Sequence, residues 1–326
     1  MQVIASHDIS LYGDDGEHAL VLIPLSDAHL TLFYRWSAIS MASVRRKYGA
    51  LSREALCFIV NVDGVPVGEC RLWHESHAGA RRIEIWIAEQ AYQGRSTEAA
   101  CIRMVTEYAF TGENANAVYG ICADVRPPST RMWTQNGFTL ERREGEGVRY
   151  TLTRQDFTAQ RRVIVPPERV FELPIAALQP SQLCVSAGKL RMCREWFEAG
   201  DGGMDAIPVK QFMGRTLMTD GHSRAVMAHL AGMTKVPCYW DTDALDMIAY
   251  AADIALCLDA GIRSPIDLVD RIVPVKEYER VWRKCCMELQ DHMLYRNLKQ
   301  DEMVIFWTQK QMPVSERDIR WVDNLE

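Results

Sequence analysis

The chain has 326 residues, of which 48% are hydrophobic and 25% are charged, a composition typical of soluble globular proteins with room for two domains. The formal net charge is −6; residues 1–159 carry 16 basic and 19 acidic side chains, and residues 160–326 carry 21 and 24. Neither half has the basic excess that favours nucleic-acid binding, and no apolar run approaches the roughly 20 residues of a membrane-spanning helix.

The ten cysteines lie within apolar runs such as LCFIV and IALCL, and no C-x-x-C pair occurs. This pattern predicts buried, reduced thiols and argues against a zinc knuckle or a thioredoxin-type site. The first residues, MQVIASHDISLYGDD, lack the basic and apolar regions of a signal peptide. We therefore expect a cytoplasmic protein without a membrane partner.

The first half alternates strand and helix patterns. After a helical region, two strand-like runs, ALCFIVNV and VPVGECRLW, flank Asp63-Gly64, a dipeptide that favours a hairpin turn. RRIEIWIA predicts a strand, STEAACIRMVTEYAF a helix and AVYGICADV another strand. STRMWTQNGF predicts a short helix that ends at Asn136-Gly137, and YTLT a last strand. This order predicts an α/β domain.

A polar stretch and Pro166-Pro167 separate the two halves, because this segment continues no regular element. We place the boundary near Thr158, which gives a first domain of residues 1–158 and a second of residues 159–245. Residues 246–326 are predicted to form a helical extension packed on the second domain.

The second half also mixes both patterns. KLRMCREWF predicts a helix, IPVKQF and RTLMT two strands, RAVMAHLAG a helix and VPCYWD a strand. Three amphipathic helices are then predicted around Asp246–Ala260, Ser264–Ile272 and Lys276–Met293. The last segment, from Asn297, has a short apolar stretch, MVIFWT.

Two stretches of the first half, IEIWIAEQAYQGRSTEAACIRMVTEYAF and DVRPPSTRMWTQNGF, resemble the central motifs of the GNAT acetyltransferase family. The second has the family's S-x₇-G-F spacing at Ser129, Gly137 and Phe138. The resemblance covers residues 18–155 and includes the order of elements. It implies a GNAT-like mixed sheet with flanking helices, acetyl-CoA as cofactor, and a small amine or amino acid as acceptor.

A strand that leads through a glycine-containing turn into a helix presents free backbone N–H groups to an anion. In the GNAT family that anion is the coenzyme A pyrophosphate. The resemblance implies that the cofactor contacts Ile85, Ile87, Gln93, Gly94, Arg95, Ser96, Thr97, Ser129 and Trp133. Ser96 and Glu98 stand where the family's loop has small residues; the Ser96 hydroxyl can donate, whereas a Glu98 carboxylate repels a pyrophosphate.

Glu84 lies on the strand that splays in this family, and it is the candidate base that deprotonates the amine. A solvent-facing carboxylate on an alternating strand is the other interpretation. The position of the family's tyrosine acid holds Trp133, whose indole N–H does not donate a proton at neutral pH. Arg126 stands where an asparagine is common. Because positioning alone carries much of an acyl transfer, a working enzyme and a degenerate domain that binds coenzyme A or a partner without turnover both stay open.

In the second half, Asp220-Gly221-His222-Ser223-Arg224 lies between a predicted strand and a predicted helix. Glycine permits the sharp turn, and the N–H groups of a helix that starts near Ser223 can hold a phosphate. Arg224 can bind phosphate oxygens, and His222 can donate a hydrogen bond or move a proton. Asp220 can orient the histidine, bind magnesium or accept a hydroxyl proton. The alternative is an Asp-Gly corner with a surface histidine.

The order LPIAALQPSQL, helix, IPVKQF, RTLMTDGHSRAVMAHLAGMTKVPCYW resembles the ParB/sulfiredoxin-like α/β fold over residues 170–241. It is most similar to the domain of ADP-dependent free-serine kinases, whose D-G-H-x-R turn holds the nucleotide phosphates. The resemblance implies nucleotide contacts for Gly221, His222, Ser223 and Arg224. It also implies Asp220 at the reacting centre, and ADP or ATP with magnesium as ligand. Those kinases have a catalytic glutamate where Ser181 and Gln182 stand here, and neither can act as a general base.

The leading hypothesis is an N-acetyltransferase that uses acetyl-CoA on a small amine or amino acid, fused to a nucleotide-binding or phosphate-binding domain. A second hypothesis is a ligand-sensing regulatory protein with two non-catalytic domains, and a third is a serine-kinase-like phosphotransferase in the C-terminal half. Partition-type DNA binding is disfavoured, because the helices after Asp241 lack a basic recognition face. A homodimer stays open.

Overall fold

The computed structural model describes residues 7–37, 40–51, 54–75, 79–93, 96–123, 130–145, 147–198 and 204–291. The chain divides into unit 1, Met1–Arg161, and unit 2, Arg162–Glu326. Among the helices of the described residues, none combines the length and the apolar character that a membrane crossing requires. Both units mix strands and helices, which confirms the predicted α/β class.

The described part of unit 1 contains eight strands: β1 Leu11–Asp14, β2 Ala19–Pro24, β3 Ala55–Val62, β4 Val65–His74, β5 Ala80–Ile87, β6 Ala117–Cys122, β7 Thr139–Glu144 and β8 Gly147–Thr153. They form one sheet in the order β1-β2-β3-β4-β5-β6-β8-β7. Neighbouring strands are antiparallel except β5 and β6, which are parallel because a helical crossover joins them. The N-terminal hairpin β1–β2 lengthens the sheet beyond the strands that the sequence pattern predicts.

The turn between β3 and β4 has the predicted form. Asp63 has φ 47° and Gly64 has φ 84°, so both central residues adopt the left-handed conformation. Two such residues give a hairpin turn whose twist matches that of the flanking strands. The prediction of a hairpin at Asp63-Gly64 is confirmed.

Helices cover both faces of this sheet. They are α1 Leu30–Ser37, α2 Met41–Leu51, α3 Ser96–Thr111, α4 Arg131–Thr134 and α5 Arg154–Gln160. Phe33 of α1 and Tyr48 of α2 pack with Ile59 of β3 in one cluster. Cys101 of α3 lies beside Cys70 of β4, whose side chain points away from the α2 face because side chains alternate along a strand. The sheet therefore lies between α1–α2 and α3.

Among the residues of unit 2 that the structure describes, seven strands are present: β9 Phe171–Pro174, β10 Leu178–Gln179, β11 Val185–Ser186, β12 Ile207–Phe212, β13 Arg215–Met218, β14 Lys235–Trp240 and β15 Ile272–Val273. Five of them form a sheet in the order β10-β13-β12-β14-β9, and β11 pairs with β15. Strands of only two residues, such as β10 and β11, are below the length at which a repeating pattern is visible in the sequence.

The helices of unit 2 are α6 Ala187–Glu198, α7 His222–Leu230, α8 Met247–Asp259, α9 Val275–Tyr278 and α10 Lys284–Asp291. Ala225 and Ala228 of α7 pack on Val209 and Val236 of the sheet. Ile254 of α8 packs on a second cluster around Phe212 and Leu217. The first residues of α7 therefore lie at the end of β13, close to the sheet.

Two predicted helices of unit 2 take other forms. The segment predicted as a helix over Ser264–Ile272 is a 3₁₀ helix, Pro265–Arg271, in which Pro265 and Leu268 are buried. Residues three apart eclipse in a 3₁₀ helix, so this tighter winding points both side chains into the core. The helix predicted over Lys276–Met293 is interrupted by a π-helical segment, Glu279–Arg283. The stretch MVIFWT lies outside the described residues.

Candidate acyl-CoA and phosphate sites

Strands β5 and β6 part along their length. They pair only over Ala80–Arg82 and Ala117–Tyr119, although β5 runs on to Ile87 and β6 to Cys122. From Ile83 onwards the β5 backbone is therefore not paired with β6. Its N–H and C=O groups can pair with an extended ligand inserted between the strands, as an added strand would. Ile85 and Ile87 lie on this segment, and the predicted splay beside Glu84 is present.

A cleft of about 470 Å³ lies at the parting. It is lined by Ser37, Lys47, Tyr48, Glu69, Arg71, Ile83, Glu84, Ile85, Trp86, Ile121, Met132 and Trp133. The cleft brings together Glu84 and Ile85 of β5 with Trp133 of α4. Trp133 lies 49 positions after Glu84 in the sequence. The cleft is large enough for a small molecule.

Glu84 lies in the cleft with both carboxylate oxygens in ion pairs. Arg71 Nη1 lies 3.2 Å from Oε2, and Arg82 Nη2 lies 3.2 Å from Oε1. The side chain keeps 39% of its exposure, so a ligand can reach it. The two guanidinium groups hold the carboxylate in a defined place, which suits a group that orients an incoming amine.

Glu69 is a second carboxylate of the cleft, and it was not predicted from the sequence. It is 4% exposed and forms a two-point ion pair with Arg71, and burial raises its pKa. Arg71 also donates to the Tyr48 hydroxyl at 3.4 Å. The sequence contained a signal for this pair, namely Glu69-x-Arg71 in the otherwise apolar run of β4. Two opposite charges on one face of a strand imply an ion pair buried beneath a helix.

Trp133 is a packing residue as well as a wall of the cleft. It is 2% exposed, and its indole Nε1 is buried without a hydrogen-bond partner in the described part of the chain. A Cβ on Gly120 would lie 2.0 Å from the ring, so β6 needs glycine at this point. Phe138 meets the ring edge-on with centroids 5.2 Å apart. The indole therefore supplies shape and no acid, as its chemistry predicts.

The turn before α3 combines exposed and buried groups. Ser96, the first residue of α3, is exposed, and Gln93 Nε2 donates to the Ile87 carbonyl at 2.9 Å. Thr97 is fully buried, and its hydroxyl donates to Asp15 at 3.1 Å, so only its backbone N–H can face a cofactor. Glu98 is half-buried in the first turn, where the helix dipole favours a negative charge.

Three predicted cofactor contacts, Gly94, Arg95 and Ser129, lie outside the described residues, as does Arg126. The residues that are described fit an acyl-CoA ligand in two ways. The unpaired β5 edge suits an extended amide chain, and the start of the 16-residue helix α3 suits a pyrophosphate.

The parallel strands β5 and β6 part, and helix α3 starts at the parting. A domain with this geometry can hold an extended, anionic ligand. Residues 17–139, which lie within unit 1, match the family model described as the acetyltransferase (GNAT) domain. A comparison with curated proteins found no match.

Several solved structures are similar to the chain. The aminoglycoside acetyltransferase AAC(6')-Ib with coenzyme A is 19% identical, with a TM-score of 0.39, over 44% of this chain and 99% of its own. RimJ of Mycobacterium smegmatis with CoA-disulfide is 14% identical, with a TM-score of 0.41, over 47% and 90%. A chimera of the Vibrio cholerae spermidine N-acetyltransferase SpeG with hSSAT is 17% identical, with a TM-score of 0.38, over 43% and 98%.

In unit 2, the turn Asp220–Arg224 begins α7. Gly221 has φ 84° and caps the helix, a conformation that glycine adopts without strain. Arg224 Nη1 donates to the backbone carbonyls of Asp205 at 3.2 Å and Ala206 at 3.0 Å, and Nη2 lies 3.2 Å from the Asp220 carboxylate. The guanidinium is therefore fixed beside the turn.

His222 is buried, and it joins two turns of unit 2. Its Nε2 accepts from the backbone N–H of Ser181 at 3.0 Å, and the Ser181 hydroxyl donates to the Met218 carbonyl at 2.9 Å. Burial lowers the pKa of His222 to about 4, so the ring is neutral at pH 7 with its proton on Nδ1. This arrangement favours hydrogen-bond donation from Nδ1 over proton transfer at Nε2, and it corrects the alternative of a surface histidine.

Asp220 is the exposed acid of this turn, with 78% of its side chain accessible. Desolvation alone would raise its pKa, but Arg224 and the Gly221 N–H outweigh it and lower the pKa. Lys189 of α6, which was not predicted from the sequence, carries a charge that acts on both Asp220 and His222. No group of three or more His, Cys, Asp or Glu side chains among the described residues could hold a metal ion.

Proposed function

We propose that unit 1 transfers the acetyl group of acetyl-CoA to a primary amine of a small molecule that binds in the 470 Å³ cleft. The observation that carries the proposal is the parting of β5 from β6 after Arg82, which leaves the β5 backbone open at the wall of the cleft. The match of residues 17–139 to the acetyltransferase (GNAT) domain supports it.

When bound, acetyl-CoA would supply a thioester carbonyl carbon to the amine. Ile85, Ile87 and Gln93 would hold the cofactor along β5, and the first N–H groups of α3 would hold its pyrophosphate. Glu84 would orient the amine and accept its proton as the new C–N bond forms and the C–S bond breaks. The departing thiolate would take its proton from solvent, because Trp133 has none to give at neutral pH.

The test is release of free thiol from acetyl-CoA by the full chain, measured with spermidine, kanamycin and the common amino acids as acceptors. We expect at least one acceptor to stimulate release, and Glu84→Gln to lower kcat by about 100-fold. Arg142→Gln, a change on the exposed strand β7, is the matched control and should leave kcat unchanged. Acetyl-CoA binding without thiol release for every acceptor would favour a ligand-sensing protein instead.

For unit 2 we propose a phosphate-binding site at the turn Asp220–Arg224, with a ParB/sulfiredoxin-like fold over residues 159–245. The fixed guanidinium of Arg224, the nearby Lys189 and the free start of α7 support it, because each attracts an anion. ADP or ATP with magnesium is the proposed ligand, since Asp220 is exposed and can reach a metal that the nucleotide brings.

Calorimetry of the full chain with magnesium-ADP, magnesium-ATP and inorganic phosphate tests this site. We expect binding that Arg224→Gln weakens by roughly tenfold, while Arg263→Gln, an exposed arginine of the same unit, has no effect. Formation of AMP or ADP from the bound nucleotide would extend the proposal to a phosphotransferase. Equal affinities for the wild type and Arg224→Gln would contradict it.

A further inference from the structure

Lys47 of α2 is a cleft residue with no assigned role. It lines the cleft beside Tyr48 and Arg71, and its Nζ lies 5.3 Å from the centroid of the Tyr48 ring. Burial raises the pKa of Glu69, and Lys47 is among the cations that act against that rise. Lys47 is itself exposed, so a ligand in the cleft can reach its ammonium group, and its charge also acts on Glu69.

The other charges of the cleft are already paired. Arg71 bonds Glu69 at two points and lies 3.2 Å from Glu84, whose second oxygen is taken by Arg82. Within the described residues, Lys47 belongs to none of the ion pairs of unit 1. A cation that lines a cleft and belongs to no direct ion pair attracts an anionic group of the ligand.

The charges that line the cleft, taken together, also indicate a ligand that carries an anionic group. Lys47 and Arg71 balance Glu69 and Glu84, so the lining carries two charges of each sign and is neutral overall. The positive charge of Lys47 would repel a purely cationic polyamine. A molecule with one ammonium and one carboxylate group matches Glu84 and Lys47 at the same time.

We propose that the acceptor is an amino acid or a similar amine that carries a carboxylate, and that Lys47 selects it by binding that carboxylate. This inference rests on the acetyltransferase function proposed for unit 1. Glu84 receives the ammonium end, and Lys47 receives the carboxylate end. Lys47 is a specificity residue and takes no part in the bond changes.

Matched pairs that differ only by a carboxylate test the proposal: ornithine and putrescine, lysine and cadaverine, histidine and histamine, tyrosine and tyramine. The measurement is kcat/KM for thiol release from acetyl-CoA by the full chain. We expect kcat/KM for the carboxylated member of the preferred pair to be roughly tenfold higher than for the other member. Lys47→Gln should abolish this preference, because KM for the amino acid rises about tenfold and approaches that of its decarboxylated partner.

Two further variants keep the result interpretable. Lys47→Glu should reverse the preference towards the decarboxylated amine, which a loss of folding cannot do. Arg46→Gln removes the neighbouring exposed cation, which does not line the cleft, and should leave the preference intact. Turnover of amines without a preference, or a preference that survives Lys47→Gln, would overturn the role of Lys47 and leave the acetyltransferase standing. No turnover with any pair would overturn both.

Discussion

The acidic side chains of the two units have different surroundings. In the cleft of unit 1, Glu69 is matched by Arg71, and Glu84 by Arg71 and Arg82. In unit 2, Asp253 of α8 is half-buried, and burial and Asp246 together raise its pKa to about 8. Burial without a nearby cation favours the protonated form of a carboxyl group, whereas a guanidinium partner favours the ionised form.

This difference affects both stability and ligand binding. The paired charges of unit 1 are held in place before any ligand arrives, so they can orient one at little further cost. The acid of unit 2 contributes stability only while it is neutral. Changes that remove a partner, a proton or a packing surface therefore have effects of different size and different pH dependence in the two units.

The largest effect is expected from Arg71→Ala. It leaves Glu69, 4% exposed, as a buried carboxylate without its cation, which costs about 3–5 kcal/mol of unfolding free energy. Chemical denaturation of the full chain measures it. Arg142→Ala removes a cation that is 58% exposed and should cost about 0.5 kcal/mol or less. Similar losses for the two variants would mean that burial does not distinguish these pairs.

The next effect is the pH dependence that His222 causes. Its pKa is lowered from 6.5 to about 4 in the folded protein, so the unfolded chain binds the proton more readily. Stability from this residue is therefore lost as pH falls from 6.5 towards 4, by about 3 kcal/mol in total. His222→Gln retains an acceptor for the Ser181 N–H and should flatten the loss. His229→Gln, on the same helix, should leave the pH dependence unchanged; a flattening there would contradict the assignment to His222.

Gly120→Ala tests the packing of Trp133. The new Cβ would lie 2.0 Å from the indole ring, which forces a shift that costs about 2 kcal/mol. Thermal unfolding measures the loss. Gly120→Ala together with Trp133→Ala should cost less than the sum of the two single changes, because removal of the ring removes the clash. Additive losses would show that Gly120 has another role.

The smallest effect, of opposite sign, is expected from Asp253→Asn. The folded pKa of Asp253, about 8, is above the ordinary value of 3.8, so stability is lost as pH rises between these values. The neutral variant should therefore be more stable than the wild type at pH 8 and above, by about 1–2 kcal/mol once solvent at the half-buried group is allowed for. The gain should vanish near pH 4. Asp270→Asn, at an exposed acid, is the control, and an equal gain there would contradict the assignment.

Long elements with a clear period were predicted from the sequence, and short ones were not. The strands β3 to β6 and the helix α3 follow alternating or helical patterns over six residues or more, and Asp63-Gly64 marks the turn between two of them. β10, β11 and β15, of two residues each, have no period to read. The 3₁₀ winding of Pro265–Arg271 was also not predicted, because its capping box and apolar spacing suit an α-helix equally well.

The candidate sites were predicted in part. Glu84, Trp133 and the Asp220–Arg224 turn were singled out as candidates because each belongs to a local motif. Lys47 and Lys189 were missed because a lysine on a helix has no local signature, and Glu69 was missed although the spacing Glu69-x-Arg71 was available as a signal. Their importance comes from what lies across the fold from them, namely Arg71, the cleft, and the pair Asp220 and His222.

The sequence by itself determined the class of both units, the hairpin at Asp63-Gly64, the strand that carries Glu84, and the glycine turn that begins α7. These depend on periodicity and backbone preference, which act over a few neighbouring residues. Only the tertiary structure decided which charges are paired, that Thr97 turns its hydroxyl to Asp15, that His222 is buried against Ser181, and that Trp133 fills the space beside Gly120. Burial and electrostatic pairing depend on contacts between distant parts of the chain, so they exist only once the chain has folded.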